Sequence, residues 1–435
     1  MSSPSSETVR HATLARRYQE ACAATDALFD AVKPEHLYDR PIPERHRIVF
    51  YIGHLEAFDW NLLGPRMFAG AAIDAELERL FAFGIDPVGG GLPTDVPADW
   101  PSLAKVHAYR DAVRGAVADG WRDLGSGAAA PAAQTPAEAE VWLNVAIEHR
   151  LMHAETLAYM LHQLDPAKKQ GPVPAVREHR EAAAAAMMEV PAGEVVLGMP
   201  RGSSRFGWDN EFGERRVDVP AFRIDRHMVS NGEFLRFVEA GGYASQQYWR
   251  EADWTWRTEA GITHPAFWRR RGDAWYQLTM FGEVPLPLDW PVYVSHAEAA
   301  AYARYVGKRL PTEAEWQRAA SGVPDASQRA VEGNFNFRSW DPAPVDLAQN
   351  RSEFGVLGLY GNGWEWTDEV FAPLPGFEAF SFYPGYSANF FDGQHYVLKG
   401  GSARTAACML RPSFRNWFQP HYQYVYAGLR CVAEA

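Results

Sequence analysis

Apolar residues recur at helical spacing through the first third of the chain and lose that period near residue 163. The i, i+3, i+4, i+7 pattern predicts helices over roughly 7–32, 45–63, 103–124 and 137–163. Four such segments joined by longish connections predict an antiparallel bundle with apolar faces turned inward. Residues 164–187 mix a Pro/Gly break with a polar, Ala-rich run and read as a partly helical linker. From Met188 onward short strand-like runs, frequent Gly and Pro, and dense Trp replace the helical pattern. Helices are expected there only at 230–239, 295–307 and 312–320. The expected fold class is multidomain, α followed by α+β: a helical bundle over 1–165, a linker over 166–187, and an irregular α+β domain over 188–435.

Length agrees with this division, since 435 residues imply two domains. The net charge of −12 argues against non-specific nucleic-acid binding and against an anionic membrane surface. No stretch approaches the ~20 apolar residues of a membrane span, and the N-terminal run lacks the apolar core of a secretory signal. The three cysteines, Cys22, Cys408 and Cys431, fit no zinc or disulfide framework, which points to a reducing cytoplasm. Aromatic residues reach 13%, with 16 Trp, a surplus that builds cores and also suits a site for an organic cation.

Three histidines change the picture. His149 and His153 stand at i, i+4 in Glu148-His149-Arg150-Leu151-Met152-His153-Ala154-Glu155, so their imidazoles share one face of the fourth helix. His54, in Gly53-His54-Leu55-Glu56, lies on the second helix and supplies a third nitrogen. Facing helices of a bundle are a usual place for a metal site, and three protein ligands leave positions open for substrate and oxygen. The competing reading is three core histidines with satisfied hydrogen bonds. An all-histidine set does not choose iron over zinc. Glu148 and Glu155 read equally as partners of the histidines or as solvated charges.

The second half carries specific phrases. Lys308-Arg309-Leu310-Pro311-Thr312-Glu313-Ala314-Glu315-Trp316 reads as a helix start at Pro311-Thr312 with an acidic first turn. Gly361-Asn362-Gly363-Trp364-Glu365-Trp366-Thr367 follows, then Val397-Leu398-Lys399-Gly400-Gly401-Ser402 and Tyr426-Ala427-Gly428-Leu429-Arg430-Cys431. In this order they resemble the formylglycine-generating-enzyme-like (C-type-lectin-like) fold over about 188–435. A fold alone does not give a function. Cys408 and Cys431 do not stand in the contexts of that family's cysteine pair.

The combination is more specific. A DinB-like four-helix bundle fused ahead of this fold resembles the non-heme iron synthases of the ergothioneine and selenoneine pathways, over nearly the whole chain. That resemblance implies Fe(II), O2 and hercynine (Nα-trimethylhistidine), with a chalcogen joined to C2 of its imidazole. It implies metal ligation by His54, His149 and His153. It implies Tyr383 as proton donor and Tyr386 as a substrate contact, from Tyr383-Pro384-Gly385-Tyr386-Ser387. From Arg415-Asn416-Trp417 it implies that Asn416 and Trp417 hold hercynine through its carboxylate and its cation. Read from the residues alone, the tyrosines belong to an aromatic loop, Trp417 to the core and Asn416 to a turn.

Departures from that family bear on the donor. Members using γ-glutamylcysteine carry arginines in the loop after the second helix. Here the loop from Phe83 to Pro93 holds no basic residue, and its tip is Pro87-Val88-Gly89-Gly90-Gly91. They place an Asp after Asn-Trp; here that position is Phe418. Charge-assisted bonds are worth ~1.5–3 kcal/mol each, so a zwitterionic thiol loses its anchors. A neutral selenosugar needs none, which favours selenoneine formation over the ergothioneine-type C–S reaction. Two further readings stand beside these: a non-catalytic ligand-binding protein, and a zinc-dependent thiol transferase.

Overall fold

Among the described residues, the first part folds into five α-helices: α1 (Ser6–Asp30), α2 (Ile48–Met67), α3 (Ala75–Leu80), α4 (Leu103–Ser126) and α5 (Pro136–Gln163). The computed structural model describes residues 6–68, 70–84, 92–126, 135–175, 180, 185–347 and 350–435. The chain divides into two compact units, residues 1–171 and 172–435. In the first unit the four long helices form a bundle, with α1 and α2 each packed against α4 and α5. Helix α2 is the most enclosed, with Ile48 to Ala57 buried without interruption. A helix apolar on all sides belongs inside.

Two helix boundaries differ from the periodic pattern. Helix α2 starts three residues later than 45 and runs past Pro65 to Met67. Pro65 has no N–H for the carbonyl of Asn61, and Arg66 Nη1 donates to that carbonyl instead, at 3.1 Å. The six-residue α3 has no counterpart in the pattern; Asp74 caps it, accepting from the amides of Glu76 and Leu77.

The second unit opens with β1 (Met187–Val190), β2 (Gly193–Leu197), β3 (Arg215–Val219) and β4 (Phe222–Asp225). Helices α6 (Asn231–Glu239) and α7 (Glu251–Glu259) follow, then β5 (Trp268–Arg271), β6 (Ala274–Leu278) and β7 (Glu283–Pro285). Helices α8 (His296–Tyr305) and α9 (Glu313–Ala319) precede β8 (Gly363–Val370), β9 (Tyr396–Gly401), β10 (Asn416–Phe418), β11 (Ala427–Gly428) and β12 (Val432–Glu434). The strands form small sheets: β1-β4-β12, β2-β3, β5-β6-β7 and β10-β9-β8-β11. The unit is the irregular α+β domain that the phrases of the sequence implied. Helix α7 was not expected; its cap position, Arg250, offers no side-chain cap bond and is spent on Asp368 and Tyr396. Helix α9 has the full capping box, with Thr312 Oγ1 accepting from the Glu315 amide at 3.1 Å and Glu315 accepting from the Thr312 amide at 2.8 Å.

The separate phrases meet at one buried carboxylate. Glu365 on β8 takes two bonds from Arg430, at 2.7 and 3.0 Å, and one from Trp316 Nε1 at 2.8 Å. Arg430, Trp316 and Glu365 are all fully buried. Around them pack Val190, Ile224, Val356, Leu359 and Leu410. No helix among the described residues is long and apolar enough to cross a membrane.

Removing one partner of a buried ion pair strands the other, at a cost of about 3–5 kcal/mol. Glu365→Ala is therefore expected to lower the stability of the second unit by that amount. The denaturant midpoint of its unfolding transition measures this; an unchanged midpoint would refute the anchor role.

Candidate metal centre and aromatic site

Helices α2 and α5 bring three imidazoles together. His54 Nε2 lies 3.2 Å from His153 Nε2, and His153 Nε2 lies 3.1 Å from His149 Nε2. All three residues are buried. His54 Nδ1 sits 2.8 Å from the carbonyl of Phe81. A carbonyl only accepts, so Nδ1 carries the proton and Nε2 presents a bare lone pair. Burial pushes the His54 pKa down to about 4, against the opposing pull of the Phe81 bond. Burial, then the neighbouring cationic forms, hold His149 and His153 well below the usual histidine range. Three neutral imidazoles aimed at one point are a ligand set, and the three could hold one metal ion.

Aromatic rings hold the imidazoles in place. Phe58 stacks on His149 at 3.4 Å and Phe50 on His54 at 4.9 Å. Gly53 makes room for Phe81: a Cβ there would meet the Phe81 ring at 2.3 Å. The glycine before His54 thus lets Phe81 approach α2 closely enough for its carbonyl to reach the imidazole.

Beside the histidines lies a buried charge network. Arg150 is fully buried on α5, between His149 and His153 in sequence. It donates to Glu56 at 3.0 and 3.1 Å and to Asp59 at 2.5 and 3.1 Å, both on α2. Tyr18 donates to Asp59 at 2.6 Å, and Arg114 joins Glu56 to Asp26. Burial raises the Asp59 carboxyl to about 6, with Arg150 pulling the other way. Glu148 and Glu155 are buried as well, so the reading as solvated charges is corrected.

In the second unit, Tyr383, Tyr386 and Trp417 gather in one aromatic cluster. Tyr383 and Tyr386 lie 5.7 Å apart by ring centroid, and Tyr386 meets Trp417 edge-on at 5.4 Å. Trp417 stacks on Phe371 at 4.3 Å, and Tyr386 on Trp208 at 4.0 Å. Asn416 accepts at Oδ1 from the Trp417 amide at 2.9 Å, which turns its NH2 end the other way as a donor. Arg415 is an anchor: it donates to buried Glu313 at 2.9 Å and to the Ala372 carbonyl. Phe418 stacks parallel on Tyr422 at 5.2 Å. The loop tip at 85–91, read above as lacking cations, lies outside the described residues.

Sequence reasoning missed Phe81, Arg150 with its carboxylates, Trp208 and Tyr422. For Arg150 a signal existed, since an arginine between two inward histidines of a bundle helix must find buried partners. Nothing in the spacing marked the others.

Residues 173–435 match the model of the sulfatase-modifying factor enzyme 1-like domain, and residues 17–157 match that of the DinB superfamily. A protein of Mycolicibacterium thermoresistibile named hercynine oxygenase is 33% identical, over 96% of this chain and 94% of that one. A hercynine oxygenase of Mycobacterium tuberculosis is 40% identical over 54% of this chain and 58% of its own length. The ergothioneine biosynthesis protein 1 of Neurospora crassa is 28% identical over 92% of this chain, which spans 55% of the fungal protein. The chain belongs to this ergothioneine-pathway family of DinB and sulfatase-modifying-factor-like proteins.

Adding a Cβ at position 53 displaces Phe81 and its bond to His54. Loss of such an orienting partner costs about 10–100-fold in metal affinity. Gly53→Ala should show that loss in a metal titration while helicity is kept; an unchanged affinity would deny the Phe81 carbonyl its role.

Proposed function

We propose that this protein is an oxygen-dependent, non-heme iron(II) enzyme that forms a carbon–chalcogen bond at C2 of the hercynine imidazole, with a selenosugar as donor. The observation that carries the metal reading is the convergence of three neutral Nε2 atoms. The names of the relatives, hercynine oxygenase and ergothioneine biosynthesis protein 1, support hercynine as the acceptor and an oxidative reaction.

His54, His149 and His153 would hold the iron. When bound, it would supply the one-electron chemistry of O2, which protein side chains lack. In the overall change the C2–H and chalcogen–H bonds break and the C2–chalcogen bond forms. The two hydrogens leave as water with one oxygen atom of O2. The other oxygen atom leaves on the chalcogen, so O2 takes up four electrons in all. The chain's own residues bind and orient. Asn416 donates from its amide to the hercynine carboxylate, and the face of Trp417 receives the trimethylammonium group. Tyr386 contacts the substrate, and Tyr383 holds a proton at its hydroxyl for delivery during the reaction.

The donor assignment rests on Phe418. Stacked on Tyr422, it puts an apolar wall where a charged donor needs a carboxylate. A sugar meets an aromatic face with its C–H bonds and pays no charge-desolvation cost. The second reading, a thiol donor giving an ergothioneine-type sulfoxide, is favoured by the names of the relatives.

Two measurements test this. The chain is expected to bind a single iron(II), and a His149→Ala/His153→Ala variant to lose both iron and turnover. Folding and hercynine binding that are indifferent to metal would refute the enzyme reading, and turnover without oxygen would refute the oxidative one. Hercynine, iron and air offered with selenosugar, thiosugar, cysteine and γ-glutamylcysteine side by side should give a selenium-bearing product mass first. Reaction with γ-glutamylcysteine alone would refute the argument from Phe418.

A further inference from the structure

The segment 380–387 carries both tyrosines yet belongs to no helix or strand. Its own bonds are turns: the Tyr383 amide donates to the Phe380 carbonyl at 3.0 Å, and the Tyr386 amide to the Tyr383 carbonyl at 3.3 Å. Such a segment has no ladder to fix it, and its position must come from side chains. Those side chains belong to a turn far away in sequence, Trp208-Asp209-Asn210-Glu211.

The Ser387 hydroxyl donates to Asp209 Oδ1 at 2.6 Å. The Phe380 and Asn210 amides face the Asp209 carboxyl and pull its pKa down, while Oδ2 makes no hydrogen bond among the described residues. Residues 380 and 387 are the two ends of the segment. Trp208 lies along its middle, stacked on Tyr386 at 4.0 Å and edge-on to Tyr383 at 6.5 Å. The turn is fixed from behind. Glu211 accepts from the Trp208 amide at 2.8 Å, from Arg411 at 2.5 and 2.8 Å, and from Ser413 at 2.7 Å. Trp208, Asp209, Glu211 and Ser387 are all fully buried.

We propose that Asp209 is a positioning residue for the reaction: its carboxylate clasps the Ser387 end of residues 380–387, beside Trp208 along their middle, and thereby sets where the Tyr383 hydroxyl stands. This rests on the reading of Tyr383 as proton donor. Burying a carboxylate is costly unless its bonds are made. Burial does push the Asp209 carboxyl up, and the Ser387 hydroxyl and the Asn210 and Phe380 amides pull it back. The clasp thus spends a buried charge on a segment that apolar packing alone would leave free to shift. A displacement of an ångström at a reacting group can cost about a hundredfold in rate.

The test uses the full chain loaded with iron, hercynine and whichever donor gives product. Asp209→Ala is expected to lower kcat by about 10–100-fold, as misplacement does, with the hercynine KM changed less than about twofold. Oxygen consumed per product formed should rise, because a displaced proton donor leaves oxygen reduction uncoupled. Asp209→Asn, which keeps an acceptor for Ser387, should recover most of the coupling. In the metal-free chain, Asp209→Ala should speed amide exchange across 380–387 and leave β8 and β9 protected. Added to Tyr383→Phe, Asp209→Ala should change coupling no further, since one route is already lost. A folded Asp209→Ala variant with normal kcat and coupling, or one whose loss simply adds to that of Tyr383→Phe, overturns the proposal. Should Asp209→Ala fail to fold, Ser387→Ala removes the clasp's hydrogen bond from the other side and is held to the same outcomes. A Tyr383→Phe variant with full turnover and coupling would sink the assignment of Tyr383 instead, while the exchange measurement still decides whether the clasp exists.

Discussion

The buried guanidinium of Arg150 is the constraint on which the three-histidine cluster depends. It stands on α5 between the two histidines of that helix and reaches Glu56 and Asp59, which follow the third histidine on α2. One planar guanidinium facing a pair of carboxylates one turn apart can be satisfied at one helix register only. A slip of a single turn moves one helix by 5.4 Å against the other. Metal–nitrogen bonds are about 2.0–2.1 Å long, so such a slip would take His54 out of reach of any ion on His149 and His153. Apolar packing alone does not forbid that slip, since leucines fit many registers. The ion pair does, because an unpaired charge in the bundle interior is far costlier than an imperfect apolar fit.

The second unit solves a related problem by the same means. Its strands are short and its sheets small, so few backbone ladders tie distant segments together. Buried charges take their place. Glu365 joins the segments of Trp316 and Arg430, Glu313 takes Arg415, and Glu211 takes Arg411. Lys399 is buried too, donating to the carbonyls of Pro412 and Phe414, and burial lowers its pKa to about 8. Two of these pairs adjoin the aromatic cluster: Glu313–Arg415 just before Trp417, and Glu211–Arg411 at the turn that carries Trp208. Arg415 is the clearest case: the Arg-Asn-Trp phrase reads as a binding element, yet its arginine faces inward and only aims the two residues after it.

What the sequence made legible follows from the range of the forces involved. The long helices came from a period of 3.6 sustained over several turns, and the histidine pair from spacing within one helix. The capping box at Thr312 is a contact three residues long, and it was readable for that reason. Helix α7 escaped because nothing at its start offers a cap, and α3 because six residues hold too little pattern. The extension of α2 past Pro65 depends on one arginine filling a proline's missing bond, which no periodicity encodes. Phe81 and Trp208 escaped for a deeper reason. Each acts through a partner 27 or 178 residues away in sequence, and a single chain carries no mark of such pairings. Asp209 and Ser387, also 178 residues apart, are another such pairing. Tyr422 is only four residues from Phe418, but outside a helix that spacing predicts no contact.

The same distinction governs the question of the donor. Charges that recognise a ligand are readable as residue types, so their absence at 418 is a chemical statement before any coordinate is known. What the fold adds is the replacement. Phe418 is not a bare gap but one face of a parallel pair with Tyr422. A zwitterion brought against that pair would give up water without receiving a charged partner from either ring, and each missing charge-assisted bond is worth roughly 1.5–3 kcal/mol. A polyhydroxylated ring meets the same wall with an apolar face and keeps its hydroxyls for the rim. On the proposed reading, the acid-to-aromatic exchange does more than weaken one donor: it would invert the order in which charged and neutral donors are preferred, while the histidines and tyrosines assigned to the chemistry stay as they are.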